Sequence, residues 1–361
     1  MSIPIIIIHL AEREHLRWIL AQAREFNPHS NIILIGDYTS KHYNFIEHEE
    51  IGNYFQEALT FQKIYKHRSH NSFSYELFCF QRWFVLKQFM KTKGIEKCFC
   101  MDSDVMLYAD IEEEQKKFAD FDLALYQKWN PHCVFVNSLK NLREFCSFLV
   151  ELYTNSVKFK ALELEFQDRI KNKIGAICDM VAFRSFRDLD PNRIGDLSLI
   201  LNNSTYDNNI NYSEGFEMSN ARKNIQFIDN KPFCMHLELG KKIRFNALHL
   251  QGYAKQYIQD YFTGDKEKIR DIKLWGINTF DSRDKTNENY QQGKSMIKYV
   301  ALPLKLGEIN LIIFPDWSDS GQSLDSDLER VISAIATHPD SSQITLLVYL
   351  GRLSQEEANL A

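Results

Sequence analysis

The sequence predicts an α/β protein, in which helices flank a central sheet, from three observations. The chain opens with an apolar strand over Ile3–His9, a helix over Glu12–Phe26 with its apolar residues on one face, and a second strand over Asn31–Ile35. Such a β-α-β unit implies parallel strands joined by a right-handed crossover. Helices and strands continue to alternate beyond it, and another β-α-β pattern begins at Ile309. Alternation of this kind is typical of α/β architecture.

The middle of the chain supplies further elements of the same sheet. A long amphipathic helix over Tyr75–Lys91 leads into an apolar strand over Lys97–Met101. Further strands are predicted at Asp122–Tyr126 and Cys133–Val136, followed by a helix over Leu142–Tyr153. Later in the chain the predicted elements are a polar loop over Asn202–Asn211 and short strands over Ile225–Ile228 and Phe233–Leu237.

A polar segment without apolar periodicity divides the chain. We expect a main domain over residues 1–280, a linker over 281–307 and the start of a second α/β domain over 308–361. The elements predicted in the last part are a strand over Ile309–Pro315, a helix over Leu324–His338 and a strand over Ile344–Leu350. A structural role, in which this part packs against the main domain, is an equally open interpretation.

The composition is that of an ordinary water-soluble globular protein. Hydrophobic residues make up 44% and charged residues 25% of the 361 residues, and the net charge of -5 argues against nucleic-acid binding. No apolar run is long enough to span a bilayer, and no basic amphipathic helix demands membrane contact, although peripheral contact is left open. The seven cysteines lack Cys-x-x-Cys spacing and predict reduced thiols in a cytoplasmic protein.

Two aspartates follow the apolar strand that ends at Met101. Asp102 and Asp104 are one residue apart, so their side chains would point to the same side at the end of a strand. The same spacing recurs elsewhere in the chain, but only this pair follows a buried-looking strand, at the edge where open α/β sheets bind ligands. Carboxylate oxygens suit Mg²⁺ or Mn²⁺ completed by the phosphates of a substrate. The alternative is a turn or a helix cap.

A second group of polar residues lies far downstream. His249 offers an imidazole as a third metal ligand, which with two carboxylates makes a set that Mn²⁺ tolerates. Gly252 would let the backbone approach a ligand closely, and Lys255 supplies a positive charge for phosphate. A strand-to-helix turn with a surface lysine explains the same spacing equally well.

With these residues the chain resembles a known family. A His-x-x-Gly-x-x-Lys sequence downstream of an Asp-x-Asp pair is similar to the GT-A nucleotide-sugar glycosyltransferases, nearest the retaining group that includes glycogenin and the bacterial lipooligosaccharide galactosyltransferases. The resemblance covers roughly residues 1–280 and implies a Rossmann-like mixed sheet flanked by helices. The family's motif continues Pro-Trp, whereas Gln256 and Tyr257 follow here, and Cys133 stands where the family has a glycine.

The resemblance also implies roles for individual residues. Asp102 and Asp104 become metal ligands with His249 as the third, and Lys255 contacts the diphosphate, near Gly252. The end of the first strand, at His9, contributes to the nucleotide pocket. Asp37 would lie near the base or ribose. Asp102 would contact the donor in addition to its role as a metal ligand.

Two further residues match later parts of the family's pattern. Asp179 resembles the acidic residue that contacts the donor sugar or the acceptor, and it would act as a base in an inverting enzyme or position the sugar in a retaining one. Arg82, on the helix before the metal strand, matches a basic residue that touches the donor phosphate or sugar. The other interpretation of Arg82 is an arginine on a helix surface.

The implied activity is transfer of a sugar from a nucleoside-diphosphate sugar, with uridine as the favoured base and retention as the favoured outcome. Mn²⁺ or Mg²⁺ would be the cofactor, and a carbohydrate, glycolipid or protein hydroxyl would be the acceptor. A nucleotidyltransferase that makes nucleotide sugars is the nearest alternative, but Ile8–His15 lacks the glycine-rich phosphate loop of that class. The chain has no P-loop sequence, which excludes a P-loop NTPase. A non-catalytic module that binds nucleotide sugar is the other alternative.

Overall fold

The computed structural model describes residues 2–10, 13–37, 43–172, 177–266, 269, 309–313, 333–335, 337 and 344–348. The chain divides into two compact units, residues 1–284 and 285–361. The predicted linker over 281–307 lies outside the described residues, as does most of the helix predicted over Leu324–His338, of which residues 333–335 are helical. The predicted domain boundaries therefore stay predictions.

Helices and strands alternate along the described part of the chain. Its α-helices are α1 (Leu16–Phe26), α2 (Gln56–Gln62), α3 (Phe73–Lys93), α4 (Ile111–Lys116), α5 (Leu139–Thr154), α6 (Ser156–Asn172), α7 (Asp179–Arg187) and α8 (Ile258–Tyr261). The strands of the first unit are β1 (Ile5–His9), β2 (Ile32–Gly36), β3 (Glu47–Glu50), β4 (Cys98–Met101), β5 (Val105–Leu107), β6 (Leu123–Tyr126), β7 (Asn130–Val136), β8 (Ile194–Asp196), β9 (Ser204–Tyr206), β10 (Met218–Ser219), β11 (Arg222–Lys223), β12 (Gln226–Ile228), β13 (Lys231–His236) and β14 (Lys241–His249).

The main sheet has seven strands in the order β3-β2-β1-β4-β7-β6-β8. The strands β3, β2, β1 and β4 are parallel to their neighbours in this group, whereas β7 is antiparallel to both β4 and β6. The predicted α/β class with a mixed sheet flanked by helices is confirmed. The chain leaves β1 toward β2 and β3 on one side and later returns to add β4 on the other side. The carboxyl ends of these parallel strands share one edge, and α/β sheets typically bind ligands at this edge, next to the strand where the chain switches sides.

A smaller sheet joins this edge from the side. It has the order β12-β13-β14-β5, with β9 paired to β14. The strand β5 begins one residue after Asp104, and its antiparallel register places Val105 opposite His249. The end of β14 is therefore brought to the turn that follows β4.

Alternating residues of β1 pack on opposite faces of the main sheet. Ile5 and Ile7 join the apolar cluster under α1, whereas Ile6 joins the cluster under α3 and α5. The helix α3 starts at a cap in which the Ser72 side chain accepts a hydrogen bond from the Tyr75 backbone N–H, and it ends at Gly94 with φ of 66°. These caps explain why the helix begins and ends close to its predicted bounds.

The sequence prediction was wrong or incomplete at several elements. The loop predicted over Asn202–Asn211 contains the strand β9, because its residues pair with β14. The helix α1 begins at Leu16 rather than at Glu12. The elements that the sequence did not predict are β3, α2, β5, α4, α6, α7, β8, β9, β10, β11, β14 and α8.

In the second unit, β15 (Ile309–Ile313) and β16 (Ile344–Val348) pair in parallel, as the predicted start of a second α/β unit requires. Among the helices that the structure describes, none combines the length and the apolar character that a membrane span needs.

Candidate active site

The two aspartates of the Asp-x-Asp sequence lie in the short turn between β4 and β5. The backbone N–H of Asp102 donates to the carbonyl of His132 at 2.9 Å, and the N–H of Val105 donates to the carbonyl of Asp102 at 3.2 Å. The first bond holds the start of the turn against β7, and the second closes the turn, after which the chain enters the smaller sheet. Both carboxylates therefore stand at the carboxyl edge of the parallel strands, as the sequence predicted.

His249 completes a group of three potential ligands. The N–H of Leu250 donates to the carbonyl of Asp104 at 2.9 Å, which locks the end of β14 against the turn. One side-chain atom from each of Asp102, Asp104 and His249 lies within 4.8 Å of the other two. The Nε2 atom of His249 is 3.4 Å from Oδ1 of Asp104. The structure thus brings together two parts of the chain that are far apart in sequence.

The His249 ring is oriented by contacts on its far side. Its Nδ1 atom lies 2.5 Å from the carbonyl oxygen of Asn208, to which it donates, so Nε2 is the nitrogen that faces the aspartates. His132 stacks on it with ring centroids 4.4 Å apart and planes 13° apart. The Nε2 atom of His132 lies 2.8 Å from the carbonyl oxygen of Asp207, and this hydrogen bond holds the His132 ring in place. Burial, with His249 adding to it, lowers the pKa of His132 well below its usual value, so His132 stays neutral.

A buried ion pair supports the loop that carries Asn208. The ammonium of Lys223 lies 2.6 Å from Asp207, and both side chains have zero exposed area. Lys223 also donates to the carbonyl of Asn209 at 3.0 Å and to Glu214 at 2.9 Å. The other carboxylate oxygen of Asp207 accepts from the backbone N–H of His249 at 3.1 Å. The pair therefore connects the loop directly to the third ligand.

Sequence reasoning did not identify His132, Asp207 or Lys223. Asp207 lies in a stretch whose many polar residues indicate a loop, and no periodic pattern distinguishes it from its neighbours. Lys223 lies well downstream of it, and their pairing depends on the path of the chain between them. The one available signal was the presence of two histidines, His132 and His249. Because a buried histidine needs a hydrogen-bond partner, each of them indicates that a polar group lies nearby.

Lys255 lies in a short 3₁₀ helix over Gly252–Tyr257, and its side chain reaches the carboxylate of Asp104. Its Nζ atom is 3.0 Å from Oδ2 of Asp104, and 42% of its side chain is exposed. Gly252 adopts φ of +60°, a left-handed conformation that favours glycine, and it starts this turn. The ammonium of Lys255 is therefore partly open to solvent beside Asp104.

Arg82 links Asp102 to Asp179. Arg82 forms an ion pair with Asp102, and a second guanidinium nitrogen lies 2.8 Å from Oδ2 of Asp179. The indole N–H of Trp83 donates to the same Asp179 oxygen at 3.1 Å. Arg82 is therefore not a surface arginine: it bridges the Asp-x-Asp turn to the first residue of α7. Asp179 is buried at the start of that helix, where a carboxylate is favoured by the helix dipole.

The remaining predicted residues lie at the same edge. His9 ends β1 and pairs in register with Gly36, the residue before Asp37. His15, which the sequence did not identify, has its ring centroid 6.3 Å from that of His9. Burial and then the charge of Lys255 lower the pKa of His15 to about 4, so it is neutral near pH 7. A cavity of about 260 Å³ separates this region from α8, and its lining residues are Glu14, His15, Trp18, Lys255, Gln256, Ile258 and Gln259.

The two aspartates of the pair differ in their electrostatics. Burial raises the pKa of Asp102, although Arg82 opposes this effect. Burial also acts on Asp104, but the hydrogen bond and charge of His249, together with Lys255, outweigh it and lower the pKa of Asp104. At His249 the contact with Asp104 outweighs burial and raises the pKa. A cation that binds Nε2 of His249 must therefore replace a proton there.

The donor set fits a hard divalent cation. Two carboxylates and one imidazole converge within 4.8 Å, and the imidazole is oriented from behind. Oxygen-rich sets with one nitrogen suit Mn²⁺, and three protein ligands leave coordination positions for a substrate's phosphates. Each carboxylate also has a positive neighbour, Arg82 at Asp102 and Lys255 at Asp104. Chemically, the arrangement can bind a diphosphate at Lys255 and a neutral hydroxyl-bearing group at Asp179.

No protein-family model matches this sequence, and no curated protein matches it. Several solved structures are similar in fold. The apo form of mouse xyloside xylosyltransferase 1 is 12% identical, with a TM-score of 0.41, over 56% of this chain and 88% of its own. The galactosyltransferase LgtC, solved with donor and acceptor sugar analogues, is 10% identical, with a TM-score of 0.37, over 74% of this chain and 99% of its own.

A third similar structure is the apo form of the bifunctional glycosyltransferase WbbM, which is 12% identical, with a TM-score of 0.40, over 74% of this chain. The match covers 51% of the WbbM chain, so this protein spans about half its length. The names of all three describe glycosyltransferases.

Proposed function

We propose that this protein is a metal-dependent glycosyltransferase that uses a nucleoside-diphosphate sugar. The observation that carries the proposal is the convergence of Asp102, Asp104 and His249 into one ligand set, with Lys255 on one side. Arg82 pairs with Asp102 and with Asp179, whereas Lys255 pairs with Asp104, so the two aspartates have chemically different neighbours. The neighbourhood of Lys255 suits a diphosphate, and that of Asp179 suits a sugar.

The charges of the site favour this assignment over binding of a neutral ligand. Asp102 is countered here by Arg82, and Asp104 is countered by Lys255. A divalent cation held by the ligand set would stabilise the negative charge that develops on the departing β-phosphate. The ammonium of Lys255, which is partly exposed, would then exchange its contact with Asp104 for a contact with a phosphate oxygen.

In the proposed reaction an acceptor hydroxyl oxygen forms a bond to the anomeric carbon of the donor sugar. The bond from that carbon to the β-phosphate oxygen breaks, and its electron pair leaves with the nucleoside diphosphate. Asp179 is held by both Arg82 and Trp83, which suits it to accept a hydrogen bond from a sugar hydroxyl. We therefore favour retention of configuration, in which the acceptor's proton passes to a phosphate oxygen of the leaving group.

The choice between Mn²⁺ and Mg²⁺ follows from His249. An imidazole nitrogen is a better ligand for Mn²⁺ than for Mg²⁺, which prefers oxygen and water. We propose Mn²⁺ as the preferred ion. For the donor base, uridine remains the prediction that the family resemblance implies, with His9 at the end of β1 and Asp37 directly after β2 as the residues near it.

The test is a panel of nucleotide sugars with Mn²⁺, in which release of the nucleoside diphosphate is followed. Asp104→Asn removes a ligand charge while keeping the size of the side chain. The matched control is Asp120→Asn, because Asp120 begins another Asp-x-Asp sequence and is exposed. We expect metal-dependent release from one donor in the wild type and the control, and a loss of at least about a hundredfold in Asp104→Asn. Equal rates in all three proteins would refute the proposal.

The anomeric configuration of the product, read by NMR, separates retention from inversion. Metal-dependent nucleotide binding without release from any donor would favour the non-catalytic module.

A further inference from the structure

We propose that the cavity between the start of α1 and the 3₁₀ helix over Gly252–Tyr257 is a binding site for a phosphate group that requires no metal ion. Trp18 and His15 donate hydrogen bonds to the phosphate there, beside the ammonium of Lys255. The proposed function gives no role to Trp18 or His15, so this inference goes beyond it and does not depend on it. Three features support the site: two buried donors without partners, the electrostatics at the start of α1 and the chemistry of the lining residues.

The first unpaired donor is the indole N–H of Trp18. Trp18 is 1% exposed, and it lines this cavity. Its Nε1 atom is buried and has no hydrogen-bond partner among the residues that the structure describes. By contrast, the indole N–H of Trp83 donates to Asp179 at 3.1 Å. An indole nitrogen can only donate, and a buried donor without an acceptor destabilises the fold, so an acceptor atom in the cavity would remove that cost.

The second unpaired donor is His15, which lines the same cavity. Its Nε2 atom is also buried without a hydrogen-bond partner in the described part of the chain. Burial and then the positive charge of Lys255 lower the pKa of His15 to about 4, so the ring is neutral near pH 7. A neutral imidazole can carry its proton on Nε2 and donate from there. Lys255 itself lines the cavity, so a positive charge lies among the two donors.

The start of α1 makes the same region favourable for an anion. This helix has 11 residues, its cap residue His15 makes no side-chain hydrogen bond to the helix backbone, and its first turn holds no acidic side chain. The positive end of the helix dipole is therefore not compensated from within the first turn. Among the lining residues the one carboxylate is that of Glu14, which is 70% exposed and lies 2.9 Å from Arg17. Its charge is thus already countered.

These groups match a phosphate better than a neutral ligand. The remaining lining residues are Gln256 and Gln259, whose amides can donate, and the apolar Ile258. A phosphate offers several oxygens that accept from different directions at once, and hydrogen bonds to a charged oxygen are the stronger ones. The volume of about 260 Å³ is several times the share of about 30 Å³ that one water molecule takes in the liquid, which leaves room for a phosphate group.

The test follows the indole N–H signals of ¹⁵N-labelled protein by NMR during titration with inorganic phosphate, in EDTA to remove divalent ions. Trp18→Phe identifies the signal of Trp18, and the signal of Trp83 is an internal reference because its N–H is already bonded. His15→Ala removes the second donor. The matched control is His29→Ala, because His29 is exposed beyond the other end of α1. Circular dichroism confirms that each variant is folded.

We expect inorganic phosphate to shift the Trp18 signal with a dissociation constant of about 1 mM and to leave the Trp83 signal unchanged. In His15→Ala the dissociation constant should rise about tenfold, because a hydrogen bond to a charged oxygen is lost, whereas His29→Ala should match the wild type. A Trp18 signal that does not move at about 20 mM phosphate would overturn the inference. Equal phosphate affinity in the wild type and His15→Ala would overturn it too.

A nucleotide diphosphate and free phosphate share this chemistry, and the same titration with UDP and with uridine, again in EDTA, separates them. Displacement of inorganic phosphate by UDP would assign the cavity to a phosphate group of the nucleotide. Inorganic phosphate that stays bound in the presence of UDP would assign it to free phosphate. A Trp18 shift with uridine as large as that with UDP would contradict a phosphate site. Calorimetry of UDP with Mn²⁺ tests the proposed function separately, and its failure would leave the result with inorganic phosphate standing.

Discussion

Replacing Lys223 by methionine tests whether the buried ion pair behind His249 both stabilises the fold and supports the ligand set. The substitution keeps most of the side-chain volume but leaves Asp207 without its positive partner. Because both side chains have zero exposed area, the remaining carboxylate cannot recover its hydration.

The expected loss is large for a single substitution. Breaking a buried ion pair from one side costs about 3–5 kcal/mol. For a domain of this size each kcal/mol lowers Tm by about 2–4 °C, so Lys223→Met should lower Tm by about 6–20 °C. The loop that carries Asn208 would lose its anchor, and affinity for Mn²⁺ should fall about 10–100-fold, as for other outer contacts of a metal ligand.

Two controls separate the charge effect from general damage. The double variant Asp207→Asn/Lys223→Met removes the fully buried charge and leaves only the Glu214 carboxylate, which is 23% exposed, without its lysine. The amide oxygen introduced in place of the Asp207 carboxylate can still accept from the His249 backbone, so this variant should recover much of the lost Tm. Lys116→Met removes a fully surface ion pair with Glu113 and should shift Tm by no more than about 1 °C. The assays are thermal unfolding and Mn²⁺ titration by electron paramagnetic resonance. A Lys223→Met protein with wild-type Tm and Mn²⁺ affinity would refute the reasoning.

Three further substitutions address other parts of the site. Lys255→Ala should raise the dissociation constant of UDP with Mn²⁺ about tenfold while Mn²⁺ binding alone persists, as calorimetry would report; equal UDP affinity would contradict a phosphate role. Arg82→Lys keeps the charge but cannot bridge Asp102 and Asp179 with two nitrogens, so kcat should fall about a hundredfold, and a wild-type kcat would argue against bridging. His132→Phe keeps an aromatic ring against His249 but loses the bond to the Asp207 carbonyl, so Mn²⁺ affinity should fall several-fold with a modest loss of Tm.

Local patterns were sufficient for the elements that build the main sheet. The apolar runs of β1 and β4 and the apolar face of α1 are clear local signals, and α3 is a 21-residue helix rich in apolar residues, so the types and approximate bounds of these elements were predictable. The pair Asp102 and Asp104 was predictable for the same reason, since it follows directly on a buried strand. The strand β5 has only three residues, too few to show any periodicity.

Long-range contacts explain what the sequence could not predict. The strand β14 mixes lysine and arginine with apolar residues, and its end reaches the aspartates only because β5 pairs with it. The contact between Asp179 and Arg82 joins residues 97 positions apart, and the pairing of Lys223 with Asp207 depends on a loop with no periodic signal. The composition of the site was therefore predictable in part, whereas its supporting contacts required the tertiary structure.

The most direct test of the central claim is the affinity of UDP with and without Mn²⁺, measured by calorimetry on the wild type and on Asp104→Asn. We predict that Mn²⁺ strengthens UDP binding at least about tenfold in the wild type and has little effect in the variant, because Asp102, Asp104 and His249 would hold the ion and its charge would favour the diphosphate. Equal coupling in both proteins, or none in the wild type, would contradict a metal site at Asp102, Asp104 and His249.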